Sequence, residues 1–227
     1  MGYPKIEEIA LAAKEWDFIK NLPDNLGPFT KKIEGNIEGQ ELHICSFTAP
    51  TLKAKVDIIY TAETFDYILV RSLGLNIYRD VSLIYKEKDL FAQKVLANLP
   101  HILHSMEHPE DENLGEMVIQ KKILTWDYGN NLPKSIGPFE LYITPQKSIE
   151  HINGSIIIID YTDFTHGDQF LVYYNRLRDE FFGEVKVGSV FHATKDFDAK
   201  SLTALQQKLE TNLEKTLTGI TAADHEL

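Results

Sequence analysis

Cysteine is nearly absent from this sequence, since Cys45 is the only one among 227 residues. A single cysteine cannot form an intramolecular disulfide, and this usage is typical of a reducing compartment. The chain has no run of about 18 consecutive apolar residues, the length that a membrane-spanning helix needs. It also does not begin with a basic segment followed by an apolar core. These absences predict a cytoplasmic protein that is not a membrane protein.

Basic side chains are also few. Lysine and arginine total 23 against 34 aspartates and glutamates, which gives a net charge of -11. This charge has the wrong sign for neutralising phosphates, so nucleic acid is not expected as a partner. The sequence further lacks the signatures of phosphate-cradling loops, dinucleotide sites, serine-hydrolase elbows and zinc proteases. We therefore expect no cofactor, although the loop at residues 160–168 could hold a divalent metal.

An internal repeat is the strongest positive signal in the chain. Residues 16–29 read WDFIKNLPDNLGPF, and residues 126–139, which lie 110 positions later, read WDYGNNLPKSIGPF. Eight of the fourteen positions are identical, and the chain contains only 2 tryptophans, one in each copy. Self-similarity at a fixed separation is the signature of a duplicated structural unit.

Beyond this segment the two halves resemble each other in pattern. Apolar, β-branched and aromatic runs predict strands, and helical spacing of leucines predicts a closing helix in each half. We match the strands in order of occurrence, pairing residues 56–60 with 156–161, 67–70 with 170–173, and 81–85 with 185–191. The helix stripes are Leu90, Phe91, Val95, Leu96 and Leu99 in the first half, and Leu202, Leu205, Leu209, Leu213 and Leu217 in the second.

These patterns predict an α+β fold. We expect two tandem copies of a mostly antiparallel β-sheet unit, each ending in an amphipathic helix. The first unit covers residues 1–108 and the second covers 116–227, and residues 109–115 form an acidic linker with Pro and Gly. Helical spacing also predicts an opening helix over residues 5–19, and Thr194 or Asp198 is expected to cap the closing helix of the second half.

The repeated segment is the first candidate site. Trp16 and Asp17, with Trp126 and Asp127, could form a bivalent recognition surface for another protein. The alternative is a structural corner, because Leu-Pro and Gly-Pro steps favour extended backbone and large aromatic side chains anchor a chain to its core. The structural interpretation is the stronger of the two.

A loop rich in carboxylates is the second candidate. Asp160, Asp163 and Asp168 lie close in sequence to His166. Three carboxylates and an imidazole could hold a divalent metal, with oxygen ligands suited to Mg²⁺ or Ca²⁺ and nitrogen to Zn²⁺ or Mn²⁺. The spacing matches no established metal loop. The alternative is a hairpin turn whose Asp and Thr side chains bond to nearby backbone amides.

Two weaker candidates remain. His101, His104 and His108 would share one helix face if the helix continued past Pro100, and three imidazoles can hold zinc. A solvated helix end is the alternative. Cys45 could be activated by His43, two residues away on a strand, but a cysteine between apolar neighbours is usually buried and unreactive.

The function predicted from the sequence is non-enzymatic. We expect a protein-binding or adaptor module, of chaperone-like, inhibitor or immunity type, that uses an acidic surface. The alternative is a small metal-dependent enzyme or metal binder that uses the loop from Asp160 to Asp168. A third possibility is a structural subunit that dimerises through strand edges.

Overall fold

The computed structural model describes residues 5–151, 154–188 and 190–223. It divides the chain into two units between Glu107 and His108. The expected linker at 109–115 belongs to the second unit, because Pro109–Asp111 form a 3-10 helix and Leu114 is buried in that unit's hydrophobic core. The charged residues of this segment therefore lie on the surface of a folded unit.

The first unit is one antiparallel sheet with helices before and after it. In the residues described, the sheet has seven strands in the order β1-β2-β4-β5-β6-β7, with β3 paired to β4. The helices are α1 (Ile6–Ala13), α2 (Asp17–Asn21) and α3 (Lys88–Glu107). The strands are β1 (Asn25–Leu26), β2 (Phe29–Ile33), β3 (Ile37–Glu38), β4 (Glu41–Ala49), β5 (Ala54–Thr61), β6 (Asp66–Leu73) and β7 (Asn76–Tyr85).

The second unit has the same order of elements. Its helices are α4 (Glu116–Gln120), α5 (Asp127–Asn130) and α6 (Leu202–Ala223). Its strands are β8 (Ser135–Ile136), β9 (Phe139–Ile143), β10 (Ile149–Glu150), β11 (Ser155–Asp163), β12 (Asp168–Asn175), β13 (Glu180–Val187) and β14 (Val190–Ala199). Within the described ranges these strands form a second sheet of seven, in the order β14-β13-β12-β11-β9-β8, with β10 paired to β11. The predicted α+β fold with two tandem antiparallel units, each ending in a helix, is confirmed.

The strand equivalences expected from the sequence are wrong by one strand. From β4 onward every strand of the first unit, and the start of its closing helix, recurs 114 positions later, so β4 matches β11 and β5 matches β12. Residues 56–60 lie in β5, whereas residues 156–161 lie in β11. The separation grows from 110 to 114 because the second unit has longer connections between β9 and β11. Apolar runs of similar composition cannot reveal such an insertion, so matching the predicted strands by their order paired the wrong strands.

Backbone conformation supports the corrected equivalences. Left-handed backbone recurs at matching turn positions in the two units, and a β-bulge between His43 and Cys45 in β4 matches one between Ile157 and Ile159 in β11. The matching left-handed residues are Gly27 and Gly137, Lys53 and Gly167, Phe65 and Asp179, and Gly74 and Gly188. The two units therefore share their turns as well as their topology.

The core of the second unit forms around strand β11, in which every residue is buried. A continuous apolar run is typical of a strand that is covered on both faces. Ile156 and Ile158 join the cluster that contains the α6 leucines, while Ile157 joins Leu171 and Tyr173 in a separate cluster. Burial of one such aliphatic side chain contributes about 1.5 to 3 kcal/mol, so this strand contributes strongly to the stability of the unit.

Helix α6 packs on its sheet through leucines spaced four residues apart, and α3 does the same with residues at the equivalent positions. Leu90 and Leu96, which were expected on the α3 stripe, are exposed. Neither these helices nor any other in the described ranges is long and apolar enough to cross a bilayer. The buried residues are Phe91, Val95, Leu99 and Leu103 in α3, and Leu205, Leu209, Leu213 and Leu217 in α6.

Two predicted helix boundaries need correction. The opening helix expected over residues 5–19 is interrupted, because Trp16 has extended backbone and begins the separate helix α2. The expected caps Thr194 and Asp198 both lie within β14. Ser201, which immediately precedes α6, caps this helix instead, and its hydroxyl accepts a hydrogen bond of 3.2 Å from the backbone N–H of Ala204.

The turn between β1 and β2, and the equivalent turn between β8 and β9, can be tested by substitution. Gly27 and Gly137 both have φ of +56°, which places an L side chain in the unfavourable left-handed region. We expect Gly137→Ala to lower the free energy of unfolding by about 1 kcal/mol. Gly27→Ala should cost a similar amount, because the nearest atom to its added Cβ is the Glu107 Oε2 at 2.7 Å, the end of a flexible side chain that can move away. Urea unfolding measures both, and a gain in stability for Gly137→Ala would contradict the assigned turn.

Candidate functional site

The two tryptophans of the repeated segment occupy the same place in each unit. Trp16 immediately precedes α2 and Trp126 immediately precedes α5, and both residues have extended backbone. Trp16 is half-buried, with its ring centroid 5.9 Å from that of Phe18 and 5.6 Å from that of Tyr67. Trp126 is buried in the core of its unit. Both side chains therefore contribute to packing at the corner that leads into the sheet.

A glycine explains why the second tryptophan is the more deeply buried. A Cβ on Gly129 would lie 2.8 Å from the Trp126 Cζ3 and 2.7 Å from the Pro145 Cγ. The indole thus packs directly against the backbone at Gly129. The equivalent residue in the first unit is Ile19, which is itself buried.

The aspartates that follow the tryptophans are exposed. Asp17 and Asp127 each lie in the first turn of a short helix, where a carboxylate interacts favourably with free backbone N–H groups. The Asp127 Oδ1 accepts a hydrogen bond of 3.0 Å from the Asn131 side chain. The contacts of these four residues support the structural interpretation of the corner, and their role in binding stays a prediction.

The carboxylate-rich loop is the hairpin that joins β11 to β12. Asp163 and Asp168 are paired at the end of this ladder. The Asp163 Oδ1 accepts hydrogen bonds from the backbone N–H groups of Thr165 at 2.8 Å and His166 at 3.3 Å, and its Oδ2 lies 2.7 Å from the His166 Nδ1. Burial alone would raise the pKa of Asp163, but these hydrogen bonds outweigh it and lower the pKa below its ordinary value.

The other two aspartates belong to separate networks. Asp160 is fully buried, and its carboxylate accepts hydrogen bonds from the Thr162 hydroxyl at 2.6 Å and the Gln169 amide at 3.2 Å. The Asp168 Oδ1 accepts a hydrogen bond of 2.7 Å from the backbone N–H of Gly188, which lies in the turn between β13 and β14. The three carboxylates of the sequence cluster thus hold three different parts of the sheet together.

The structure gives the metal hypothesis no assembled ligand set. Across residues 5–151, 154–188 and 190–223, no group of three or more His, Cys, Asp and Glu side chains is placed to hold a metal. Asp163 instead forms hydrogen bonds with His166 and with nearby backbone N–H groups. These contacts match the other interpretation of the loop, a hairpin turn whose polar side chains bond to the local backbone. Metal binding at Asp160, Asp163, His166 and Asp168 therefore stays a prediction without a site that supports it.

The histidine and cysteine candidates also lack supporting geometry. Helix α3 continues through Pro100 to Glu107, so His101 and His104 do lie on its last turns, and both are exposed. Cys45 is buried, and burial raises the pKa of its thiol to about 12. A thiol with this pKa is protonated at neutral pH and is a weak nucleophile. The bulge between His43 and Cys45 also interrupts the alternation that would place both on one face.

The exposed edges of the two sheets were missed by sequence reasoning. Strands β7 and β14 lie at the end of their sheets, and Ile77 in β7 is 68% exposed while Phe191 in β14 is 52% exposed. These two residues are 114 positions apart and therefore equivalent. Each sheet edge carries one further exposed aliphatic residue, Val81 at 80% and Val190 at 57%. Large apolar side chains recur at the outer strand of both units.

A hairpin signal could have located these edges. Residues 185–191 were expected to form a single strand, but β13 ends at Val187 and β14 begins at Val190. Gly188 has φ of +57°, as a two-residue hairpin turn requires, and Ser189 lies outside the described residues. A Gly-Ser pair between two valines is typical of such a turn.

The first half of β14 is more accessible to a partner than the second half. Among the described residues β14 pairs with β13 alone, so alternate residues direct their backbone N–H and C=O groups away from the sheet. Near the end of the strand two α6 side chains donate to its carbonyls, Lys208 to Lys195 at 3.4 Å and Asn212 to Asp196 at 3.5 Å. No equivalent donors reach Val190–Thr194 among the hydrogen bonds of the described residues.

Comparison with models of protein families, with curated proteins and with solved structures finds no match for this chain. The feature that recurs in both units without a structural explanation is the exposed apolar residue on each outer strand, Ile77 and Phe191. Exposed apolar surface on a sheet edge is a common mark of an interaction site.

The packing of Trp126 against Gly129 leads to a stability prediction. Gly129→Ala should lower the free energy of unfolding by about 1 to 3 kcal/mol, because the added methyl overlaps the indole and Pro145. In a Trp16→Phe background, Trp126 is the only tryptophan, and its fluorescence emission should shift to the red as the ring is displaced toward water.

Gly219→Ala is the control, since no atom lies within 4 Å of its added Cβ. This helical substitution should stabilise the protein by about 0.5 to 1 kcal/mol, and equal effects of the two would contradict the assigned packing.

The Asp163 hairpin leads to a pH prediction. A lowered pKa in the folded state means that the ionised carboxylate stabilises the fold above its ordinary pKa of 3.8, and that this contribution is lost as pH falls through the lowered pKa. Asp163→Asn should cost about 1 to 2 kcal/mol at neutral pH and should flatten the acid limb of the stability curve. Urea unfolding between neutral and acidic pH measures both effects. Asp198→Asn, at an exposed site, should change neither, and an unchanged acid limb in Asp163→Asn would contradict the assignment.

Proposed function

We propose that this protein is a non-enzymatic protein-binding or adaptor module, of chaperone-like, inhibitor or immunity type, and that it binds extended partner segments at the edges of its two sheets. The observation that carries the proposal is the pair of exposed apolar residues Ile77 and Phe191 at equivalent edge positions. An added strand would pair with the outward backbone groups of β7 or β14, and its side chains would cover the exposed apolar residue.

The energetics favour such docking. Each net backbone hydrogen bond contributes about 0.5 to 1.5 kcal/mol, and covering a Phe or Ile side chain contributes about 1.5 to 3 kcal/mol. Proteins commonly blunt an open edge with charge, proline or a short strand. Here β7 and β14 do carry charged residues, but they are among the longest strands, contain no proline, and each has two apolar residues that are at least half exposed. Retention of this arrangement in both units supports a binding role.

Charge and composition support the rest of the proposal. A net charge of -11 favours an overall basic partner at long range and disfavours nucleic acid. The single cysteine fits a cytoplasmic location. We do not propose a metal-dependent enzyme, since the Asp160, Asp163 and Asp168 carboxylates are each engaged in separate local hydrogen bonds.

Edge substitutions test the proposal. Phe191→Lys and Ile77→Lys place on each edge the residue that proteins use to prevent strand addition. Proteins captured from host lysate by the wild type should be reduced about tenfold by one or both substitutions, because the apolar contact and strand pairing are lost. Leu177→Lys is the control, since Leu177 is 83% exposed but lies on the β12–β13 turn.

Quantitative mass spectrometry of the captured proteins, with thermal unfolding of each variant, provides the measurement. If every protein captured by the wild type is retained equally by the edge variants, binding at the edges is ruled out. The same capture at increasing ionic strength tests the acidic surface, because a basic partner should be lost as salt screens the attraction.

A further inference from the structure

The outer strand of the first sheet offers a short, regular edge. Among the described residues β7 pairs with β6 alone. Leu73 and Asn76 close the two-residue turn that joins these strands, and the residues that close such a turn bond to each other. Alternation along the strand therefore directs the backbone N–H and C=O groups of Ile77 and Arg79 away from the sheet. The register shifts beyond Arg79, so regular pairing with an added strand is expected along residues 76–79.

The charged side chains of this strand are already paired within the unit. Arg79 and Asp80 are the only residues of β7 with charged side chains. Arg79 forms an ion pair with Glu41, and Asp80 forms one with Arg71. The Asp80 Oδ1 also accepts a hydrogen bond of 2.6 Å from the Ser82 hydroxyl. The positive and negative charges of this group therefore cancel, and the edge presents no net charge to a partner.

The edge has an apolar or aromatic side chain on each of its faces. Ile77 and Arg79 lie on one face and Tyr78 lies on the other, because successive residues of a strand alternate. Tyr78 is directly opposite Arg71 on β6, and the Arg71 Cζ lies 5.7 Å from the centroid of the Tyr78 ring. Ile77 is 68% exposed. A segment added here therefore meets an aliphatic side chain on one face and an aromatic ring on the other.

The outer strand of the second sheet has a different distribution of charge. In β14 the side chains of Lys195, Asp196 and Asp198 are exposed, whereas Asp80, the acidic residue of β7, is buried. The equivalent of Asp80 in the second unit is Thr194, 114 positions later. Charge therefore distinguishes the two edges, and internal neutralisation is a property of the first.

A charged residue in a partner segment gains little at the edge of β7. A partner carboxylate near Arg79 also meets Glu41, and a partner ammonium group near Glu41 also meets Arg79, so attraction and repulsion nearly cancel. Either charge loses part of its hydration when strand pairing covers it. An uncharged side chain avoids this cost, and an apolar one also removes the Ile77 side chain from water.

We infer that β7 binds an extended, uncharged segment of another protein, rich in β-branched residues such as Val and Thr, added as a further strand along residues 76–79. This inference rests on the proposed function and specifies the partner for one of its two edges. β-branched residues favour the extended backbone that strand addition requires, and the desolvation cost of charged segments provides the selectivity. The net charge of -11 on each chain repels a second copy at long range, so the segment is assigned to another protein.

Labelled peptides test the inference directly. The neutral peptide alternates Val and Thr over about ten residues and carries fluorescein on a Gly-Ser spacer. Two charged peptides have adjacent Glu or adjacent Lys residues at the centre, so that each face receives a charge, and a fourth peptide has a central Pro. In fluorescence anisotropy the neutral peptide should bind saturably and at least about tenfold more tightly than either charged peptide. Its affinity should not depend on salt, and the proline peptide should bind weakly because proline disrupts an added strand.

Removal of one internal ion pair tests the role of neutralisation. Glu41→Gln leaves Arg79 without its carboxylate partner and makes the edge basic, so the Glu peptide should bind about threefold or more tightly than it binds the wild type. The neutral peptide should bind both proteins equally. Glu150→Gln is the matched control, because it removes the carboxylate partner of Arg176 in the second unit, and it should leave every affinity unchanged. Equal binding of the neutral and charged peptides by the wild type, or an equal effect of the two variants, would overturn the inference.

The remaining outcomes separate this inference from the proposed function. If a charged peptide binds more tightly than the neutral one and Ile77→Lys abolishes its binding, strand addition stands and the inference is wrong. If no peptide binds while lysate capture depends on Ile77, the inference is wrong and the proposed function stands. If neither capture nor peptide binding depends on Ile77 or Phe191, both are wrong. Sedimentation that shows a dimer lost in Ile77→Lys would make a second copy the occupant and overturn the inference.

Discussion

Packing of the closing helix onto its sheet is the interaction on which each unit depends. In the second unit the α6 leucines at four-residue spacing meet the apolar side chains of the central strands, and α3 repeats the arrangement with residues at equivalent positions. One helix covers part of one face, and its Lys208 and Asn212 side chains bond to Lys195 and Asp196 in the later half of β14. The part of the outer strand beyond this reach stays accessible, so the exposed edge follows from where the helix lies.

Much of this architecture could be predicted from the sequence, and the failures have identifiable physical causes. The duplication was visible because Trp, Gly and Pro at a corner are constrained in identity by packing and backbone conformation, as at Trp126 and Gly137. In the strands downstream, packing constrains only the class of residue and not its identity. Matching these strands by their order therefore paired each with the wrong partner, one strand away, because the connections in the second unit are four positions longer. The edges were missed because Gly188 was placed inside a strand instead of in a turn. Exposure of Phe191 depends on sheet order, which no local pattern encodes.

The acidic loop shows how a cluster in sequence separates in space. Alternation along a strand and the reversal at a hairpin direct Asp160, Asp163 and Asp168 to different partners. Each carboxylate accepts hydrogen bonds from donors that the fold supplies. Residue type and spacing could not distinguish this outcome from ligation, since both require several carboxylates in a short segment. Burial and hydrogen-bond partners favour the hairpin-turn interpretation, and only the folded chain determines them.

Because each of the two covalently joined units has an open sheet edge, the affinity for a partner with two extended segments would differ from the affinity of one edge. A partner with two extended segments that engages one edge holds its other segment at a high effective concentration near the second edge, provided its own spacer can span the two. Overall avidity can then exceed either single affinity by about 100-fold or more without any additional contact. In the proposed binding mode, duplication of the unit would therefore raise the affinity for a two-segment partner above that of either edge alone.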